Sequence, residues 1–158
     1  MMETELAELL RANPDLTLTD NGGGKTQPTA RYLYRVTPTE EEEQAAIVTW
    51  ANANADRHPA LHWLHHSPNG GYRTPATAAM LKRAGVKPGV PDLMLYWRND
   101  DADRQGLAIE VTRADHSNHA TAEQNAWIRH LRAQGWRCEI CYGADQAIGV
   151  IKDYLSID

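Results

Sequence analysis

Phenylalanine is absent from the sequence, and cysteine occurs only at Cys138 and Cys141. Two cysteines are too few for a disulfide framework. No apolar run approaches the roughly 18 residues that a transmembrane helix needs, and the first five residues lack the basic and then apolar pattern of a secretory signal. These absences predict a soluble, cytoplasmic protein.

An excess of positive charge is also missing. The 16 Lys and Arg residues are outnumbered by 21 Asp and Glu residues, and the formal net charge is −5. This balance argues against a protein that coats nucleic acid by bulk charge alone. Residues 61–158, however, hold eleven basic and eleven acidic residues. A basic face around a cluster of acids is therefore compatible with the composition, and an enzyme that acts on DNA is not excluded.

The pattern of apolar residues predicts one α/β domain after an N-terminal extension. A chain of 158 residues is the usual size of a single domain. Residues 1–37 predict a short helix and then an irregular segment rich in Gly, Thr and Pro. Residues 38–158 predict the order α β α β β α β α, with a helix that begins at Pro38-Thr39-Glu40, further helices over 74–84, 121–134 and 145–155, and strands over 62–66, 92–97, 107–112 and 136–142. Thr39 is the expected N-cap of the first of these helices.

The two central strands bring acidic residues together. Strands 92–97 and 107–112 flank a polar loop, so we expect an antiparallel pair with Asp92 opposite Glu110 or Thr112. Opposed side chains in such a pair lie about 4.5–5.5 Å apart at Cβ, and two carboxylates that close repel unless they are protonated or bridged by a cation. Hard oxygen ligands suit Mg²⁺ or Mn²⁺, and Glu40 is a candidate third acid. The alternative is that Asp92 caps a turn and Glu110 faces solvent.

Two other patterns are given less weight. Cys138 and Cys141, with His116 and His119, supply four residue types that bind zinc, but strand alternation directs the cysteines to opposite faces. The tryptophans are better interpreted as core residues, because no phenylalanine is available to fill the interior; they are Trp50, Trp63, Trp127 and Trp136.

Three segments of the chain carry a family resemblance. They are residues 66–71 (His-Ser-Pro-Asn-Gly-Gly), residues 81–93, which end in Gly-Val-Pro-Asp-Leu, and residues 106–111 (Gly-Leu-Ala-Ile-Glu-Val). In these motifs the chain resembles the stand-alone virus-type replication–repair nuclease (VRR-NUC) domains of the PD-(D/E)xK nuclease superfamily. The resemblance spans about residues 38–155, and it implies a restriction-endonuclease-like core with a mixed central sheet flanked by helices.

The resemblance also implies a function. Small stand-alone members are homodimeric, Mg²⁺- or Mn²⁺-dependent endonucleases that act on branched DNA such as four-way junctions, in phage or bacterial DNA repair and recombination. The metal ligands map onto Asp92, Glu110, the main chain of Val111 and a glutamate of the first core helix, Glu40 in preference to Glu43. The positions expected to contact DNA are Asn69, Gly70, Gly71, Arg73, Lys82, Arg83, Lys87, Arg113 and Gln124.

One position departs from the family pattern. The lysine of the family's Glu-x-Lys motif is replaced by Thr112, and a hydroxyl group cannot supply a positive charge near the phosphate. Lys87 or Lys82 is the candidate for a displaced catalytic cation. If so, Lys87→Ala or Lys82→Ala abolishes cleavage without loss of DNA affinity. The alternative is a catalytically weak or silent protein that still binds DNA junctions.

Overall fold

A computed structural model describes residues 38–68, 73–116 and 119–158 of the chain. The predicted N-terminal extension and the turn residues Asn69, Gly70 and Gly71 lie outside the described residues. The elements in chain order are α1 (Glu40–Asn54), a 3₁₀ helix (Pro59–Trp63), β1 (Leu64–His66), α2 (Pro75–Arg83), β2 (Leu93–Leu95), β3 (Leu107–Thr112), α3 (Ala122–Ala133), β4 (Arg137–Tyr142) and α4 (Ala144–Leu155). The predicted order of helices and strands is confirmed.

The four strands form one mixed sheet in the order β1-β2-β3-β4. β2 is antiparallel to both β1 and β3, and β4 is parallel to β3. A parallel pair needs a crossover connection, and α3 provides it. This arrangement confirms the predicted α/β class with a mixed sheet and an antiparallel central pair.

Helices cover both faces of the sheet. Alternate residues of β3, such as Ile109 and Val111, pack under α1 and α4, where Ile47, Ile151 and Tyr154 complete a buried cluster. On the other face, α3 covers a smaller buried cluster of Met94, Ala108, Ile128, Leu131 and Cys138. None of the helices in the described ranges is long and apolar enough to cross a membrane.

Short polar motifs define where the helices begin. The Thr39 side chain accepts a hydrogen bond from the Glu42 N–H, and the Glu42 side chain accepts one from the Thr39 N–H, which makes Thr39 the N-cap as predicted. Thr121 and Gln124 form the same reciprocal capping box at the start of α3. Such boxes satisfy two main-chain donors that the first turn of a helix leaves open.

Two predicted strands are longer than the observed ones by at least two residues, and β4 begins one residue later than predicted. Residues 62 and 63 belong to the 3₁₀ helix that begins at Pro59, so β1 starts only at Leu64. β2 ends at Leu95, and the chain beyond it bonds first to Trp63, through the Tyr96 N–H at 3.2 Å, and then to α4. Tyr154 Oη donates to the Trp97 carbonyl at 2.7 Å, and Asn99 Nδ2 donates to the Tyr154 carbonyl at 2.6 Å.

The prediction that the tryptophans form the core is only partly right. Trp50, Trp127 and Trp136 are half-buried and pack against the two clusters. Trp63 is 58% exposed, whereas Leu61, two residues earlier in the same 3₁₀ helix, is buried in the core. The tight winding of a 3₁₀ helix sets which of these neighbours faces inward, and residue type alone does not indicate it.

Candidate active site

Asp92 and Glu110 lie opposite each other at the open end of the β2–β3 pair. The observed register matches Leu93 with Ile109, and one further step along both strands brings Asp92 to Glu110. The Val111 N–H donates to Asp92 Oδ2 at 2.9 Å. Glu110 is only 5% exposed. The register therefore selects Glu110 over Thr112, and the alternative with a solvent-facing Glu110 is wrong.

Only one of the two carboxylate oxygens of Glu110 has a hydrogen-bond partner among the described residues. Gln124 Nε2 donates to Glu110 Oε1, while Gln124 Oε1 accepts the Thr121 N–H of the capping box at 2.6 Å. Glu110 Oε2 is buried and has no hydrogen-bond partner among the described residues. Gln124 thus orients an acid of the pair, and its predicted contact with DNA stays a prediction. The capping-box spacing of Thr121 and Gln124 could have placed Gln124 at the start of α3 from sequence, but not against Glu110.

Burial and like charge both disfavour ionisation of the pair. Burial, the charge of Asp92 and that of Glu40 raise the pKa of Glu110 from 4.5 to about 9. Burial also raises the pKa of Asp92, although the hydrogen bond from Val111 opposes that rise. Perturbed carboxyl groups of this kind are concentrated at functional sites.

The acidic run at the start of α1 divides its members among three environments. Glu42 caps its own helix. Glu43 is buried, and its Oε2 accepts the Ala144 N–H at 2.7 Å. The charge of Glu40 acts on both Asp92 and Glu110. Among these glutamates, Glu40 is therefore the one whose charge acts on the acidic pair, and Glu43 caps α4.

Glu43 supplies a cap that α4 lacks locally. The residue before α4 is Gly143, whose φ of +84° suits glycine and which has no side chain to cap the helix. We expect Glu43→Ala to lower the free energy of unfolding by about 2 kcal/mol, because a charged acceptor at a helix N-terminus is lost. Chemical denaturation measures this change, and the exposed Glu41→Ala is the matched control. Equal stability of the two variants would contradict the capping role.

Thr112 and His66 complete the surroundings of the pair. Thr112 is buried, two residues beyond Glu110, so strand alternation places both side chains on the same face. His66 Nδ1 lies 3.0 Å from the Asp92 carbonyl oxygen, and the charge of His66 lowers the pKa of Asp92. His66 thus contacts the site through the main chain of Asp92.

The predicted DNA-contacting cations lie in two places. Arg113 forms an ion pair with Asp115 at 3.1 Å and is half-buried. The others lie on α2 or on the segments that flank it, and all but the half-buried Arg73 are exposed; they are Arg73, Lys82, Arg83 and Lys87. The predicted roles of these residues in DNA binding and of Lys87 in catalysis stay predictions.

The donor atoms at the site suit a hard divalent cation. Among residues 38–68, 73–116 and 119–158, no three His, Cys, Asp or Glu side chains form a ready metal-binding group. The carboxylates of Asp92 and Glu110 nevertheless lie together, and Glu110 Oε2 has no hydrogen-bond partner among the described residues. A cation between them would bind this oxygen and offset the repulsion between the two negative charges. The main chain of Val111 stays the predicted third ligand.

The cysteines do not join such a site. Cys138 belongs to the cluster under α3 and Cys141 to the cluster under α1 and α4, so the two thiols lie on opposite faces of the sheet, as strand alternation predicted. Burial raises the pKa of Cys138 to about 11 and that of Cys141 to about 12. Thiolates, the form that binds zinc, are therefore disfavoured at both positions.

Comparison with known proteins gives a consistent result. The family model of the VRR-NUC domain matches residues 25–145. A solved structure described as a VRR_NUC domain protein is 31% identical to this chain, with a TM-score of 0.61. That similarity covers 77% of this chain and 92% of the other. A search of curated proteins gave no match.

Proposed function

The chain belongs to the VRR-NUC domain family and is thus a nuclease-family protein, and we propose that it is a Mg²⁺- or Mn²⁺-dependent endonuclease that hydrolyses phosphodiester bonds in branched DNA. Four-way junctions are the proposed substrates. The proposed setting is DNA repair or recombination in the cytoplasm of a bacterium or a phage-infected cell.

One observation carries this proposal. Glu110 is buried and lies opposite the half-buried Asp92 on the neighbouring strand, and Glu110 Oε2 has no hydrogen-bond partner among the described residues. A buried acceptor without a hydrogen bond lowers the stability of the folded protein by about 1–3 kcal/mol. Such an acceptor therefore points to a functional role, for example the binding of an ion. Asp92 and Glu110 would hold the metal, with the main chain of Val111 and with Glu40 nearby.

Each protein group has a distinct part in the proposed reaction. A bound divalent metal supplies an acidified water and stabilises charge on the phosphate. Asp92 is kept in place by the Val111 N–H, and Glu110 by Gln124, so neither carboxylate has to reorganise when DNA binds. Gln124 acts through Glu110 and is therefore a positioning residue.

The direct test is cleavage of a labelled four-way junction in Mn²⁺, in Mg²⁺ and in EDTA. We expect wild-type protein to cut the junction with either metal and to be inactive in EDTA. A linear duplex of the same sequence serves as the control for selectivity. Equal cleavage in EDTA would contradict metal dependence, and equal cleavage of the duplex would contradict selectivity for branches.

The buried neutral side chain at position 112 favours a second candidate function, a junction-binding protein with weak or no catalysis. The variant Thr112→Lys separates the two candidates. If the wild-type protein is an active enzyme, we expect Thr112→Lys to change the cleavage rate less than about 10-fold, an energy of ~1.4 kcal/mol. If wild-type protein binds the junction without cutting and Thr112→Lys cuts, the binding function is correct.

A branched substrate presents two strands to be cut, and a two-fold dimer would present two sites. We therefore propose that the protein acts as a homodimer. Light scattering of the purified protein measures this directly. A mass of 17.7 kDa, that of one chain, at the concentrations used for cleavage would contradict it.

A further inference from the structure

A groove of about 590 Å³ begins beside Asp92. Ser67 lines this groove, and its main-chain N–H donates to the Asp92 carbonyl at 2.8 Å. Val90, two residues before Asp92, also lines it. We call this space the α2 groove, because helix α2 provides part of its wall through Leu81.

Helix α3 connects the α2 groove to the acidic pair. Gln124 of this helix holds Glu110, and Trp127, one turn later on the same side of the helix, lines the groove. The Trp127 indole is fixed, since its Nε1 donates to the Pro88 carbonyl at 3.0 Å. The groove and the acidic pair are therefore positioned by the same rigid element.

The chemistry of the walls is apolar with a positive rim. Leu81, Val86 and Trp127 provide apolar surface, and Arg73 and Lys87 provide positive charge. Arg73 Nη2 donates to the Pro68 carbonyl, which holds its guanidinium in place. None of the described residues that line the groove is acidic.

A nucleotide has the matching chemistry, because a base offers a flat apolar surface and its phosphate carries the negative charge. Aromatic rings that stack bases beside cations that contact phosphates are the usual means of binding unpaired nucleic acid. The volume lies within the range of ligand-binding pockets, roughly 300–1,000 Å³. A base inside a duplex is already stacked and paired, so it cannot enter without first leaving the helix.

We propose that the α2 groove binds an unpaired nucleotide of the branched DNA substrate, with its base against Trp127 and its phosphate at Arg73. This inference rests on the proposed function and extends it to branches that carry an unpaired nucleotide, since a fully paired four-way junction offers such a base only where a pair at its branch point opens. A continuous duplex leaves the groove empty, whereas DNA with an unpaired base at the branch fills it and sets the register of the strand relative to Asp92.

The test compares two DNA probes in EDTA, where cleavage does not occur. Each probe is a duplex with an arm of three unpaired nucleotides, which carry thymine bases in one probe and are abasic in the other. We expect wild-type protein to bind the thymine arm about 10-fold more tightly, as measured by fluorescence anisotropy. Equal affinity for the two arms would overturn the inference, and this comparison needs no variant.

Two matched variants then locate the binding site. Val86 is 39% exposed in the groove wall, and Met80 is 53% exposed on α2 outside the groove lining. We expect Val86→Glu to abolish the preference for the thymine arm, while Met80→Glu, with the same change of charge, retains it. A preference that survives Val86→Glu overturns the inference. Circular dichroism melting confirms that both variants are folded, and Lys87 is left unchanged because of its predicted role in cleavage.

The binding and cleavage experiments distinguish an error in the groove proposal from an error in the proposed nuclease function. A protein that cuts junctions with Mn²⁺ but binds both arms equally rejects the α2 groove and keeps the nuclease function. A protein that prefers the thymine arm but does not cut with either metal rejects the nuclease function and keeps the groove.

Discussion

Replacement of Asp92 by asparagine is expected to slow junction cleavage at least about 10³-fold, because a metal-binding carboxylate contributes several kcal/mol to transition-state stabilisation. Asparagine keeps an oxygen that can accept the Val111 N–H, so the fold is retained. The loss therefore reports on charge and not on packing. Rates are measured with wild-type protein and variant at saturating Mn²⁺.

Affinity for the junction separates catalysis from binding in this experiment. Removal of one negative charge beside the phosphate backbone should leave binding in EDTA unchanged or slightly stronger. The exposed loop variant Asp101→Asn makes the same change of charge away from the site and should cleave as wild-type protein does. Cleavage by Asp92→Asn within 10-fold of the wild-type rate would exclude Asp92 as a metal ligand.

The second large effect is expected from Glu110 and concerns stability against pH. The pKa of Glu110 is 4.5 ordinarily and about 9 in the folded protein. Between these values the folded state holds a proton that the unfolded state has released, so stability falls as pH rises, by at most about 1.4 kcal/mol per pH unit. The contribution is fully present below pH 4.5 and is lost by about pH 9. Asp92, Glu40 and His66 are the charged groups that influence this site.

The variant Glu110→Gln has no proton to lose at this position. In EDTA we expect its melting temperature to fall less steeply with pH than that of wild-type protein, by up to roughly 4 °C per pH unit. Mn²⁺ binds the ionised pair and stabilises only the folded state, so it should restore wild-type stability at pH 8 and leave Glu110→Gln unaffected. Differential scanning calorimetry measures both effects.

A matched variant tests whether the loss of any glutamate changes the dependence of the melting temperature on pH. Glu123 is exposed in the first turn of α3, and Glu123→Gln should keep the wild-type slope and the response to Mn²⁺. If Glu110→Gln melts with the same dependence on pH as wild-type protein, the carboxyl group of Glu110 does not hold a proton in the folded state.

The helices and strands of residues 38–158 followed from local patterns. Thr39 begins α1 because its side chain accepts the Glu42 N–H, and Gly85, with a φ of +96°, follows the end of α2. Alternation along β3 depends only on the strand repeat of two. The two neighbouring strands and the loop between them limited the partner of Asp92 to Glu110 or Thr112, and the observed register then selected Glu110. Where long-range bonds intervened, as Tyr154 does beyond Leu95, the predicted boundary was wrong.

Side-chain roles at the site depended on contacts between distant parts of the chain. Local sequence does not separate Glu40 from Glu43 within one acidic run, and the family resemblance only favoured Glu40. The contact with Ala144 of α4, 101 residues away from Glu43, assigns Glu43 to a cap. The packing of α3 against β3 likewise turned Gln124 toward Glu110 and buried that carboxylate. Local propensity and periodicity are encoded within a few residues, and they selected the elements and limited the partner of Asp92 to two residues. Burial, pKa and the α2 groove arise where separate elements meet, and so they became visible only in the folded protein.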